Sequence, residues 1–166
     1  MHSRRRCKLS AQTRRLRLAG ILVGLIMLGA GCCGFDRAWR RAAEENPGAR
    51  DDIRGRWAGT WRSDVSGHHN ELRCLMTPQT NDVFSARFHA RYKKGIFRFS
   101  FSYTIPLRVR RSGDSFEFDG EADLGWLAGG IYRCDGSATV TNFHSTYESK
   151  YDHGVFELSR PPEPAK

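Results

Sequence analysis

Beyond residue 50 this chain has only two cysteines, Cys74 and Cys134, and no CxxC pair. A structural zinc site needs four ligands at close spacings, so none is expected. Positive charge is also scarce where a fold could use it. The chain as a whole carries +9, but residues 1–50 hold 11 Lys/Arg against 3 Asp/Glu, and residues 51–166 hold 16 against 15. The basicity belongs to the leader, and a nucleic-acid footprint over the folded part is not supported. Long apolar runs are absent too, with one exception. Leu18–Gly31 (LAGILVGLIMLGAG) is uninterrupted, and it follows Arg4, Arg5, Arg6, Lys8, Arg14, Arg15 and Arg17 with no acid among them.

That layout is an export signal. The run of about 14 residues would extend roughly 21 Å as a helix, short of a ~30 Å bilayer core. A cleaved signal suits this length, and counting on to Phe35 leaves an uncleaved anchor open. Either way the folded part is expected outside the cytoplasm, anchored at a membrane and facing the periplasm or cell exterior.

The run ends in Cys32-Cys33, and this junction resembles a bacterial lipoprotein signal. In that family the cysteine after a Leu-small-small triplet is acylated. Here Gly29-Ala30-Gly31 precede Cys32, and Leu28 sits one place early. The resemblance implies lipidation at Cys32 and a place in the cell envelope. In such an oxidising compartment Cys74 and Cys134 could form a disulfide, worth roughly 2–4 kcal/mol, or remain buried free thiols.

The organisation follows from composition: residues 1–34 are an export signal or anchor, and 161–166 a Pro-rich disordered tail. Residues 35–52 read as a short helical spacer, a tether, because FDRAWRRAAEE is rich in helix formers and Asn46-Pro47-Gly48 stops the helix. From 53 to 160 the pattern has period two, with Gly, Asn, Asp and Ser between runs. Strands are expected at Arg56–Ser63, Asn70–Thr77, Val83–Lys93, Ile96–Arg110, Ser115–Ala122, Ile131–Val140, Phe143–Ser149 and Val155–Arg160. No amphipathic helix interrupts them. The expected fold is all-β, an antiparallel meander of about eight strands closed as a barrel, with a β-sandwich as the alternative. Closure is favoured because it removes exposed edges.

Two hairpins have readable registers. A turn at Lys94-Gly95 sets Tyr92 opposite Phe97, Ala90 opposite Phe99, Phe88 opposite Phe101 and Ala86 opposite Tyr103. A turn at Ser112-Gly113 sets Val109 opposite Phe116, Leu107 opposite Phe118 and Arg108 opposite Glu117. Small faces large on the inner side of the first hairpin, which is how an interior fills without clashes.

The first strand, GRWAGTW, has Gly55-x-Trp57 and Gly59-x-Trp61, and both resemble the Gly-x-Trp that opens the first strand of lipocalins. The strand count is similar as well. Thr141-Asn142-Phe143 lies near where lipocalins carry a Thr-Asp-Tyr-like turn, with two of its three residues different. The resemblance implies a barrel plugged at one end by Trp57 or Trp61, with Arg160 packed on the tryptophan. It covers roughly residues 53–160 and carries no ligand with it.

Phe84, Phe88, Phe97, Phe99, Phe101, Phe116, Phe118, Phe156, Tyr92 and Tyr103 all point inward in this reading. Rings of roughly 150–250 Å² favour a filled interior over a cavity, and an open mouth with a shallow apolar pocket stays possible. Ser149, Asp152 and His153 lie close in sequence, yet a catalytic triad must meet in space. Tyr151–Gly154 reads as a turn, with Asp152 bonding local backbone and Gly154 at positive φ. No enzyme activity, catalytic residue or cofactor is expected. His68 and His69 would point to opposite faces of a strand and lack a third ligand, so no metal site is expected; His89 and His144 are isolated.

The remaining asymmetry is charge. Residues 82–111 hold 8 Lys/Arg and one acid, while the rest of the folded part holds 8 against 14. Glu117, Asp119, Glu121 and Asp123 could neutralise part of this stretch. Arg87, Arg91, Lys93, Lys94 and Arg98, with Arg91 facing Arg98, form the candidate anionic-surface patch. Function is therefore read as binding or organising an envelope component, anionic lipid or protein, with no nucleic-acid partner. The alternative is carriage of a small hydrophobic ligand inside the barrel.

Overall fold

The computed structural model describes residues 34–45, 51–94, 97–126 and 130–162, with backbone alone at 93–94 and 97–98. Eight strands follow one another: β1 Gly55–Ser63, β2 His69–Pro78, β3 Val83–Lys94, β4 Phe97–Ser112, β5 Ser115–Asp123, β6 Ile131–Ala138, β7 Asn142–Glu148 and β8 His153–Ser159. They form one closed antiparallel barrel in sequence order. Pairing of β1 with β8, from Ala58↔Ser159 to Ser63↔Gly154, closes it.

Alternation builds the interior. Trp57, Leu72, Cys74, Met76, Ala86, Phe88, Ile105, Leu107, Phe118, Phe143, Phe156 and Leu158 are all buried in one core. Each large side chain there stabilises the fold by roughly 1.5–3 kcal/mol.

Both hairpin registers are displaced by two residues from those read in the sequence. Tyr92 faces Phe99, Ala90 faces Phe101, Phe88 faces Tyr103 and Ala86 faces Ile105. Arg91 therefore faces Ser100, and Lys93 faces Arg98. In the next hairpin Val109 faces Phe118, Leu107 faces Gly120, and Arg108 faces Asp119 rather than Glu117. The cause is the turn. Ser112 pairs with Ser115, so the two-residue loop is Gly113-Asp114. Gly113 has φ +63, and among the described residues no non-glycine has positive φ. Positive φ at the first loop position alone is the type II′ pattern, which puts glycine first.

The two ends of the barrel differ. At the end where β1 begins, the guanidinium of Arg160 lies over the Trp57 ring, 3.9 Å from its centroid. The Trp57 indole N–H donates to the Ile53 carbonyl (2.9 Å), and Phe143 packs at 5.7 Å. That end is plugged. At the other end the wall is incomplete. The β4–β5 ladder stops at Leu107↔Gly120, although β4 has 16 residues and β5 only 9. Pro106, which has no N–H to give a ladder, sits at this point, and a Cβ on Gly120 would collide with the Pro106 carbonyl.

Residues 34–45 form helix α1. The sequence reading made this segment a tether. It is instead docked on the outer wall of β2 and β3. Phe35 is fully buried and stacks on His89 with centroids 4.6 Å apart. Arg73 lies 5.3 Å from both the Phe35 and the Trp39 ring centroids. Phe35 and Trp39, four residues apart, share one face of the helix.

Candidate ligand site at the open end of the barrel

Four connections meet at the open end: β1–β2, β3–β4, β5–β6 and β7–β8. Between them lies a cavity of about 440 Å³ lined by Trp61, Leu72, Ala90, Phe101, Tyr103, Leu124, Tyr132, Tyr147, Asp152 and Phe156, with Ser102 and Thr104 at its margin. Side chains alternate along a strand, so Phe101 and Tyr103 face opposite to Ser102 and Thr104. All four line the cavity because the β4 edge is uncovered above Pro106. The site thus opens both at the end of the barrel and at its β4–β5 side.

Its walls are aromatic. Tyr147 stacks on Phe156 at 4.7 Å and on Tyr132 at 6.2 Å, and Tyr103 meets Tyr132 at 6.1 Å. The polar equipment is small and specific. Asp152 accepts from the Ser63 hydroxyl (2.6 Å) on one oxygen and from the Tyr147 hydroxyl (3.0 Å) on the other. Burial, reinforced by the Asp152 carboxylate, pushes the Tyr147 phenol well above the usual tyrosine range, so it stays a donor. The indole N–H of Trp61 is buried and has no hydrogen-bond partner. Leaving such a donor unpaired costs about 1–3 kcal/mol.

Trp57 and Trp61, both matched as the barrel-end plug, lie at opposite ends. Trp57 with Arg160 is at the plugged end, and Trp61 lines the open one. Four residues of extended β1 separate them by roughly 13 Å, so one residue pair could not serve one plug. Phe99 and Phe101, expected inside, are 44% and 48% exposed. They stand on the part of β4 that outruns β5.

The basic face is divided. Arg87 lies over the Phe35 ring at 5.5 Å, and Arg91 reaches Asp36 at 3.6 Å. Both serve the docking of α1, and Arg73, which the sequence reading passed over, pairs with Asp36 at 2.9 Å. The side chains of Lys93, Lys94 and Arg98 lie outside the described residues, as does Cys32. On the neighbouring wall Arg110 meets Asp119, and Arg133 meets Glu121, both at 3.3 Å.

Cys74 and Cys134 are buried free thiols, and no disulfide joins them. They sit on β2 and β6, on opposed walls of the barrel. Burial pushes the Cys134 thiol up to about 12 and the Cys74 thiol well above its usual value.

Ser149 and Asp152 do form a turn: the Ser149 hydroxyl donates to the Asp152 carbonyl at 3.0 Å. The Asp152 carboxylate, however, serves Ser63 and Tyr147 rather than local backbone. Gly154 is not at positive φ. It lies in β8, where a Cβ would collide with the Arg62 carbonyl. His68, His69, His144 and His153 are exposed, whereas His89 is buried beneath Phe35 and bonded to Ser102 at 2.7 Å. Among the described residues no group of three His, Cys, Asp or Glu could hold a metal ion.

No protein-family model matches this chain, and neither does any curated protein or any solved structure.

Sequence reasoning missed Tyr132, Tyr147 and the Ser63–Asp152 contact, which joins residues 89 apart. It also missed Phe35 and Trp39. Their i, i+4 spacing on an otherwise charged helix was the available signal.

Proposed function

We propose that this is a lipocalin-like, non-catalytic binding domain, exported and held at the cell envelope. Its open end takes a small molecule with an apolar body and one hydrogen-bond acceptor. The observation that carries this reading is the aromatic cavity of about 440 Å³, with the unpaired Trp61 N–H closed off in its wall. A cavity of that size lies within the range of small-molecule sites, which are mostly apolar with a few placed polar groups. A small turn of the Trp61 ring would bring this donor to an acceptor on the ligand. The Asp152 carboxylate, already oriented by Ser63 and Tyr147, would accept from any donor the ligand carries. Binding of an anionic envelope component through the outer basic face is less favoured, because α1 occupies Arg87 and Arg91.

The test is titration with cis-parinaric acid, a fluorescent molecule with an apolar chain and a carboxylate. Saturable enhancement at one molecule per chain, weakened in Trp61→Phe, is expected. If the wild type gives no saturable enhancement, the carrier reading is wrong.

A further inference from the structure

We propose that the open end of the barrel is a membrane-docking face, which sits on an anionic lipid surface. The proposal rests on two observations that are separate from the ligand reading.

The first concerns reach. Because α1 is docked, with Phe35 fully buried, it does not act as a spacer. Only Cys32 and Cys33 separate the apolar run Leu18–Gly31 from Gly34. Three Cα steps span at most about 11 Å. Wherever that run enters a bilayer, or Cys32 carries a lipid, the barrel is drawn against the surface. The first turn of α1 also lies beside the hairpin of β3 and β4. Asp36 reaches Arg91, and the register partner of Arg91 is Ser100, which stands between Phe99 and Phe101.

The second concerns which face is apolar. Of the large hydrophobic side chains exposed among the described residues, all but Val140 lie at the open end. Val65, Trp126 and Tyr151 come from three of its connections, Ile131 begins β6, and Phe99 and Phe101 come from the overhang of β4. Trp126 is 80% exposed. Large exposed apolar side chains gathered at one end of a fold point to an interaction surface, and Trp and Tyr are the residues that settle at a membrane–water interface. The β3–β4 hairpin adds positive charge at this end, since Lys93, Lys94 and Arg98 stand beside its turn. Cations near an anionic leaflet strengthen such a contact. A mouth held on the surface would let an apolar ligand pass between bilayer and barrel without crossing water.

The experiment uses the full chain reconstituted in vesicles of phosphatidylcholine and phosphatidylglycerol, with and without brominated phosphatidylcholine as a contact quencher of tryptophan. The wild type should lose fluorescence, and Trp126→Phe should lose most of that quenching. Phe99→Ser/Ile131→Ser, which spares the cavity lining, should reduce quenching of Trp126 while parinaric acid still binds. Equal quenching in the wild type and Trp126→Phe would overturn the proposal, because the open end would then face water. Trp126 quenching that is unchanged in the double variant would overturn it as well. Loss of parinaric acid binding with quenching intact would count against the ligand reading alone.

Discussion

The guanidinium of Arg160 lies 3.9 Å from the centre of the Trp57 ring and fastens the end of the chain to the start of the barrel. The same side chain donates to the carbonyls of Arg54 (2.6 Å), Asp52 (2.8 Å) and Val140 (2.9 Å). Cation–π contact and charged hydrogen bonds together make Arg160→Ala cost about 2–4 kcal/mol of unfolding free energy. Arg160→Lys should recover only part of this, since an ammonium cannot stack flat and fork to several carbonyls. Urea denaturation measures both. A Lys variant as stable as the wild type would show that charge alone matters.

Docking of α1 depends on Phe35. Truncating a fully buried phenylalanine costs about 3–5 kcal/mol, and a helix this short is marginal alone. In Phe35→Ala, α1 should therefore come free while the barrel stays folded. Trypsin would then cut after Arg37, Arg40 and Arg41 faster than in the wild type, with the barrel's urea midpoint little changed. Cleavage at the wild-type rate would mean that Phe35 does not hold the helix.

The same contact should depend on pH. His89 stacks on Phe35, and burial lowers its pKa below the ordinary 6.5, helped by Arg73, Arg91 and Arg87 and opposed by Asp36. The free imidazole binds its proton more readily than the docked one. Stability from the neutral ring is thus complete above 6.5 and is lost as pH falls through the lower docked value. Protection of the α1 amides from hydrogen exchange, measured across acid pH and corrected for the intrinsic exchange rate, should decline in the wild type. In His89→Gln it should stay flat over that window. A slope that is the same in both would place the effect elsewhere.

What the sequence made legible was which face each residue takes. Moving a hairpin by two residues leaves every side chain on its original face, so Phe88 and Ala86 are inside even though their cross-strand partners differ from those read. The partners themselves depend on where the turn begins. Gly113 fits either loop position by composition, and only its φ of +63 with Asp114 after it settles the turn. The unequal lengths of β4 and β5 were already in the strand bounds read from the sequence. Their consequence was hidden, because period two continues along β4 past the point where its neighbour ends. Phe99 and Phe101 keep the inward face and still meet solvent, since no wall stands opposite. The Ser63–Asp152 contact links two turns of the open end, and barrel closure is what brings them together.

Replacing Trp61 with phenylalanine separates a binding role from a packing role. If the unpaired indole N–H serves only as filler, removing it relieves a buried unsatisfied donor. The unliganded protein would then be as stable as the wild type or more so, apart from the small loss of ring volume, and binding would not change. If the N–H is there to meet a ligand, stability holds or rises while affinity for parinaric acid falls by about two- to tenfold, the worth of one net hydrogen bond. Stability and affinity moving in opposite directions is a result that simple packing cannot produce. A fall in both together would make Trp61 part of the wall. The polar anchor of the site would then have to be Asp152, with Tyr147 and Ser63 holding its carboxylate in place.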